Sequence, residues 1–261
     1  MHRSNSFGAS VEFAEYREYV AGDPMQRIDW SVYGRTDRYV IREAHEEVSA
    51  RTYVLLDVSE SMTYKQEGPM SKLDYASYLA AGMMFIMVSQ GDSASLVTFD
   101  KEIVSYDPPV SNATGLKPLL ERLEETEPNR QGDIESALHD VANLIKGRGL
   151  IILISDLLQD PENVLRGLHH LHHQGKDVTL FHVMDPAELT LQINGLADLT
   201  ELETGDKLTV DLDEVRESYV SEVTKYLDEI RRGCMSMKLD YILTNTKQQP
   251  HETLRKRTEA F

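Results

Sequence analysis

Two separated segments carry oxygen-bearing side chains at spacings that suit a hard cation. Asp57-Val58-Ser59-Glu60-Ser61 places a carboxylate and two hydroxyls at alternate positions, so their oxygens can face one side. Asp156 closes a second apolar run, Leu150 to Ser155. Mg²⁺ takes oxygen ligands, keeps several waters and accepts carboxylates from separate segments, and Mn²⁺ suits the same donors. Asp133 could add an oxygen if its loop were rearranged, but its place ahead of Ile134 favours a plain helix N-cap. The bland alternative for Asp57, Ser59 and Ser61 is backbone capping at a strand-to-helix turn.

Other constellations are weaker. His169, His172 and His173 fall at i, i+3 and i+4, a spacing that suits Zn²⁺ or Ni²⁺, yet no carboxylate or cysteine is placed to complete the set. An Asp57-dependent hydrolase or phosphotransferase would need a second aspartate two positions on to serve as acid and base, and Ser59 stands there. The chain has no Gly-rich phosphate loop with Lys, no Gly-x-Ser-x-Gly elbow and no His-Glu-x-x-His. These absences favour a non-enzymatic binding role. Arg27, Asp29, Trp30, Tyr33 and Arg35 mix charge with aromatics, as partner-binding surfaces do; the competing reading packs Trp30 onto the sheet within a salt-bridged subdomain.

The elements that must position these residues read as alternating strands and helices. A weak strand over Val11 to Val20 meets a turn at Gly22-Asp23-Pro24, then a short helical piece, Met25 to Asp37, and a strand over Tyr39 to Glu47. Thr52 to Asp57 is the first core strand. Ser71 and Asp74 form a capping box for a long buried helix in which Met83, Met84 and Met87 are core filler. Ser95 to Phe99 and Glu102 to Tyr106 form a hairpin that Pro108-Pro109 stops. Helices follow near Leu116 to Glu125, from Asp133 through Ile145, and from Asp160-Pro161, with buried strands at Leu150 to Ser155 and Asp177 to Val183. Leu199 to Glu203 and Lys207 to Asp211 read as a small appended edge hairpin. A helix over Val215 to Arg232, a strand around Lys238 to Leu243 and a closing helix from Glu252 complete the chain. This is a doubly wound α/β fold with a mostly parallel sheet, and its binding crevice lies beyond the carboxyl ends of the strands, where Asp57 and Asp156 both fall. The organisation is a 1–50 segment packing on the core, a 51–186 core and a 187–261 part holding the hairpin, a helix and the last strand.

Forty-four acidic against 27 basic residues give a formal charge of -17, which disfavours nucleic acid and anionic membranes. The single cysteine, Cys234, excludes an internal disulfide. The start is polar and no apolar run is long enough for a bilayer, so membrane insertion is not expected and a cytoplasmic location follows by default.

Asp57 to Met62 resembles the metal-ion-dependent adhesion site of von Willebrand factor A domains. Glu18 to Trp30, followed by Tyr33-Gly34-Arg35-Thr36-Asp37, resembles the signature of domain of unknown function 58, a von Willebrand A-like family often encoded beside MoxR-type AAA+ ATPases. The likeness continues to Asp185-Pro186. It implies an adaptor whose bound Mg²⁺ is completed by a partner's acidic side chain, in concert with such an ATPase in the assembly, maturation or regulation of complexes. Many members carry membrane helices ahead of the signature; this chain shows none there and reads as a short soluble form. One departure stands out: Gly132 occupies the place of a threonine that the pattern uses as a hydroxyl ligand. Water can substitute around Mg²⁺, which weakens the site, and a metal-free scaffold is the alternative.

Overall fold

The computed structural model describes residues 12–45, 50–128, 133–173, 175–193, 195–200 and 207–258. The chain divides into two compact units, Met1–Ser49 and Ala50–Phe261.

In the first unit, β1 (Glu12–Glu18) runs to a turn where Gly22 takes a φ of 116°, a value that favours glycine. Next comes α1 (Trp30–Thr36), capped by the Asp29 carboxylate, which accepts from the amides of Ser31 and Val32 at 3.0 and 3.2 Å. β2 (Val40–His45) then pairs antiparallel with β1, and Ile28, Val40 and Ile41 are buried.

The second unit starts with β3 (Arg51–Asp57), α2 (Lys72–Ser89), β4 (Ser93–Phe99), β5 (Ile103–Val110) and α3 (Ala113–Glu124). It continues with α4 (Ile134–Leu144), β6 (Leu150–Ser155), α5 (Pro161–His173), β7 (Asp177–Met184) and α6 (Pro186–Thr190). A separate two-stranded sheet of β8 (Leu196–Thr200) and β9 (Lys207–Asp211) leads into α7 (Leu212–Ser236), β10 (Asp240–Asn245) and α8 (Pro250–Thr258).

The central sheet has the order β10-β7-β6-β3-β4-β5. Neighbours are parallel except β5, which returns antiparallel along β4. Because side chains alternate along a strand, β3 feeds both faces: Leu55 joins Leu153 and Leu180 under α4, α5 and α7, while Val54 and Leu56 join Ile152, Ile154 and Phe181 under α2 and α3. The Ser71–Asp74 capping box forms as its spacing predicts, and Met83, Met84 and Met87 are buried.

Three local expectations are corrected. Pro108-Pro109 does not stop β5, which runs on to Val110. A proline lacks only an amide, β5 is an edge strand, and the pairing slips between Ala94 and Leu96 to accommodate the extra residue. The hairpin is not an edge of the central sheet but a sheet of its own; its residues 201–206 lie outside the described ones. The last strand begins at Asp240, since α7 runs to Ser236 and Lys238 takes a left-handed turn at φ 56°.

A buried hydroxyl cluster ties the late elements to the early ones. Tyr75 of α2 bonds Thr244 of β10 at 3.0 Å and Thr253 of α8 at 2.9 Å. Tyr75→Phe keeps the ring but removes the shared hydroxyl, so urea unfolding is expected to show a loss of about 1 kcal/mol.

Candidate functional site

β3 and β6 are parallel neighbours with Leu56 opposite Ile154, so Asp57 ends its strand level with Ser155 and Asp156 follows immediately. The Ser155 hydroxyl donates to Asp57 Oδ2 at 2.5 Å, and the Ser59 amide donates to Asp57 Oδ1 at 2.9 Å. The loop then turns so that Ser59 Oγ and Ser61 Oγ lie 3.1 Å apart, with Met62 buried beneath. Asp57, Ser59, Ser61 and Asp156 are thus brought together and are all buried. Asp57 is the last residue of β3, more enclosed than a loop position would be.

After Asp156 the chain makes an unfavourable turn. Leu157 has a φ of 51°, yet its amide donates to Ser155 Oγ at 2.9 Å and its carbonyl accepts from the Tyr226 hydroxyl. Such a conformation costs on the order of 1–3 kcal/mol and persists where neighbours over-determine it. Below lies His182, buried between strands: its Nε2 donates to the Asp156 carbonyl at 2.9 Å, since a carbonyl only accepts, and its Nδ1 therefore accepts from Tyr241. Burial pushes His182 down to about 4, so it stays neutral and adds no charge.

The two carboxylates live in different fields. Burial, and then the nearby Asp156, push Asp57 up to about 6, against the hydrogen bonds from Ser155 and Ser59. Burial would raise Asp156 too, but the Lys72 ammonium beside it, with a hydrogen bond from Ser61, holds it below the usual carboxylate value. Lys72 Nζ sits 2.7 Å from Asp156 Oδ2 and 2.6 Å from Glu188 Oε1. Burial opposes its charge, but these two anions win and raise it.

Lys72, Glu188, Asp185, Ser155 and His182 were not singled out from sequence. Asp185 is buried, and its carboxylate accepts from the amides of Gln66, Glu67, Gly68 and Ala187 at 3.1, 3.1, 3.0 and 2.9 Å. It thereby pins the loop that delivers Lys72. The available signal was Asp185-Pro186-Ala187-Glu188, a capping box with proline at the first helical turn.

The remaining candidates separate from this cluster. Asp133 is an exposed N-cap whose Oδ1 accepts from the Ser136 amide at 3.1 Å; Gly132 lies outside the described residues. His169, His172 and His173 are exposed, with the rings of His169 and His173 stacked 5.8 Å apart. Among the described residues no three His, Cys, Asp or Glu side chains gather to hold a metal, so a cation at Asp57 would depend on serine oxygens.

In the first unit, Trp30 is 57% exposed, which corrects the expectation that it packs into a core. The α1 face carries Trp30 edge-on to Tyr33 at 6.1 Å and Tyr33 stacked on Tyr39 at 4.5 Å. Arg27 and Arg35 are exposed beside them, and Asp29 is committed to capping while also accepting from the Tyr16 hydroxyl at 3.1 Å.

Comparison with known proteins places this architecture. The crystal structure of the conserved hypothetical protein BatB from Bacteroides thetaiotaomicron aligns with a TM-score of 0.54 at 18% identity, covering 81% of this chain and 97% of that one. An aerotolerance-related membrane protein from Bacteroides fragilis aligns at 0.52 and 19% identity, covering 81% of this chain and all of the other. At such identities the likeness shows the fold, which is von Willebrand A-like. Among the described residues no helix is long and apolar enough to cross a membrane. An uncharacterized protein of Mycobacterium tuberculosis is 25% identical over 202 residues, 76% of this chain, and the chain spans 62% of that relative's length. The family model described as protein of unknown function DUF58 matches residues 15–228, and the chain belongs to that family.

Proposed function

We propose that this protein is a non-catalytic, protein-binding adaptor whose docking point is a divalent cation, Mg²⁺ or Mn²⁺, held by Asp57, Ser59 and Ser61. The observation that carries the reading is the convergence of the Asp57 carboxylate with two serine hydroxyls 3.1 Å apart beyond the carboxyl ends of the strands. The donor set fits a hard cation: all oxygens, with one carboxylate whose hydrogen-bond donors, Ser155 and the Ser59 amide, are neutral. The bound cation supplies an open coordination position for a carboxylate of the partner. Ser155 and the Ser59 amide orient Asp57, and the Asp57-to-Met62 turn presents the hydroxyls.

The partner is a MoxR-type AAA+ ATPase, served in the assembly, maturation or regulation of protein complexes, with the face of exposed Trp30, Arg27 and Arg35 and half-buried Tyr33 as a second contact. Aromatic and arginine side chains of this kind dominate binding energy where they become buried. A metal-free scaffold is the second reading, and the Lys72 ion pair with Asp156 is what favours it. An Asp57 nucleophile is disfavoured, because Ser59 stands where the acid-base aspartate is needed.

Calorimetric titration of Mg²⁺ and Mn²⁺ tests the reading: wild type is expected to bind and Asp57→Asn to lose binding, and a silent wild type sinks it. Affinity should fall as pH drops through about 6, where the raised Asp57 carboxyl takes up its proton. The same shift sets stability without metal. The folded protein holds this proton more tightly than the unfolded chain, so Asp57 lowers stability as pH rises from the ordinary aspartate value of 3.8 to about 6. Asp57→Asn should therefore have the higher urea midpoint at neutral pH without metal, an advantage that fades below about pH 4. Trp30→Ala should weaken ATPase capture by about 2 kcal/mol while leaving the unfolding free energy from urea titration within ~0.5 kcal/mol of wild type.

A further inference from the structure

The crevice already contains a cation of its own. Lys72 is the first residue of α2, an end at which the helix dipole opposes positive charge. Its side chain is nonetheless 1% exposed and ends between Asp156 and Glu188, with the Tyr64 ring centroid 5.5 Å from the ammonium. Surface lysines keep their ammonium in water; one drawn inward against both burial and the dipole is held by anions that outweigh them.

The consequence is an asymmetry between two carboxylates that sequence spacing makes look equivalent. Asp156 Oδ2 receives the Lys72 ammonium at 2.7 Å, Oδ1 receives the Leu158 amide at 3.2 Å, and the Ser61 hydroxyl donates to the same carboxylate. Among the described residues Asp57 receives neutral donors, the Ser155 hydroxyl and the Ser59 amide. Asp156 has its counter-charge built in, whereas the negative charge of Asp57 is spread over dipoles and meets no formal counter-charge among the described residues.

We propose that Lys72 is a positioning residue of the crevice, a tethered counter-ion that withholds Asp156 from the ligand set and leaves Asp57, Ser59 and Ser61 to hold a divalent cation. The proposal deepens the cation-docking reading and rests on it. Lys72 keeps the site selective for a partner-completed cation: with one carboxylate neutralised, the chain's own donors hold the ion loosely, and a partner carboxylate supplies what Asp156 does not. Glu188 and the Asp185-pinned loop at Gln66 to Gly68 keep the ammonium in place.

The test is calorimetric titration of the full chain with Mg²⁺ and Mn²⁺ salts, comparing wild type, Lys72→Met and the charge-neutral double variant Lys72→Met with Asp156→Asn. Circular dichroism checks the fold of each. Lys72→Met releases Asp156 and should bind the cation about tenfold more tightly or better, with a melting temperature that rises on adding metal. The double variant removes the pair together and should return to within about threefold of wild type. A wild type that binds beside a folded Lys72→Met of equal or lower affinity overturns the Lys72 proposal and leaves the cation reading standing. If Lys72→Met does not fold, the double variant decides: retained wild-type affinity supports the proposal and lost binding overturns it. With a wild type that does not bind, gain of binding in Lys72→Met but not in the double variant supports the role of Lys72 while the wild-type cation reading falls, and any other outcome overturns both.

Discussion

Two carboxylates end adjacent parallel strands inside the protein, and compensating their charge organises everything nearby. An ionised carboxylate in an apolar interior is costly unless paired or hydrogen-bonded. The fold answers differently at each position: Asp156 receives an ammonium, and Asp57 receives a hydroxyl and an amide. Glu188 shares the ammonium, yet burial outweighs that contact and leaves its carboxyl raised. The single ammonium therefore does not neutralise the neighbourhood, and the deficit falls chiefly on Asp57.

Holding Lys72 in that position requires a chain of local structure. The segment between the Asp57 turn and α2 has little regular structure of its own, so its backbone amides need acceptors. Asp185, at the end of β7, supplies them to three successive residues while capping α6. Gly68 is required there, since a Cβ would come within 1.9 Å of Thr246 Oγ1. His182 closes the arrangement from below, fixing the Asp156 carbonyl without adding a charge. Three strand ends, β3, β6 and β7, thus contribute an aspartate each, to different ends: one held by a hydroxyl and an amide, one ion-paired, one caging a loop.

What the sequence discloses and what it hides follow from range. Asp57, Ser59, Ser61 and Asp156 were legible because each lies at the end of an apolar run or a few residues beyond it, and an open parallel sheet gathers such ends. Lys72 was not, because its partners lie 84 and 116 positions away and a lysine at a helix start looks like an exposed residue. The Asp185 cage spans 117 positions to Gly68 and left only a local capping signal. Pro108-Pro109 misled because proline ends a strand only where its amide is needed, and edge position is a property of the sheet. Trp30 misled in the other direction: the preference of large aromatics for cores is a tendency, and α1 leaves Trp30 57% exposed.

The overall charge of -17 limits how the proposed docking can work. Across the distance of approach, an acidic chain repels an acidic partner, and a single bound cation is felt only within about 10 Å at 0.1 M salt. A carboxylate that reaches Asp57 must therefore be carried on a surface otherwise neutral or basic, so that steering comes from the surroundings and selection from the ion. The same reasoning gives the exposed arginines of the first unit a place, since Arg27 and Arg35 are positive points on a molecule that is mostly negative. Each feature thus sets its own requirement on the surface that meets it, and selectivity at either comes from local charge and not from the overall charge.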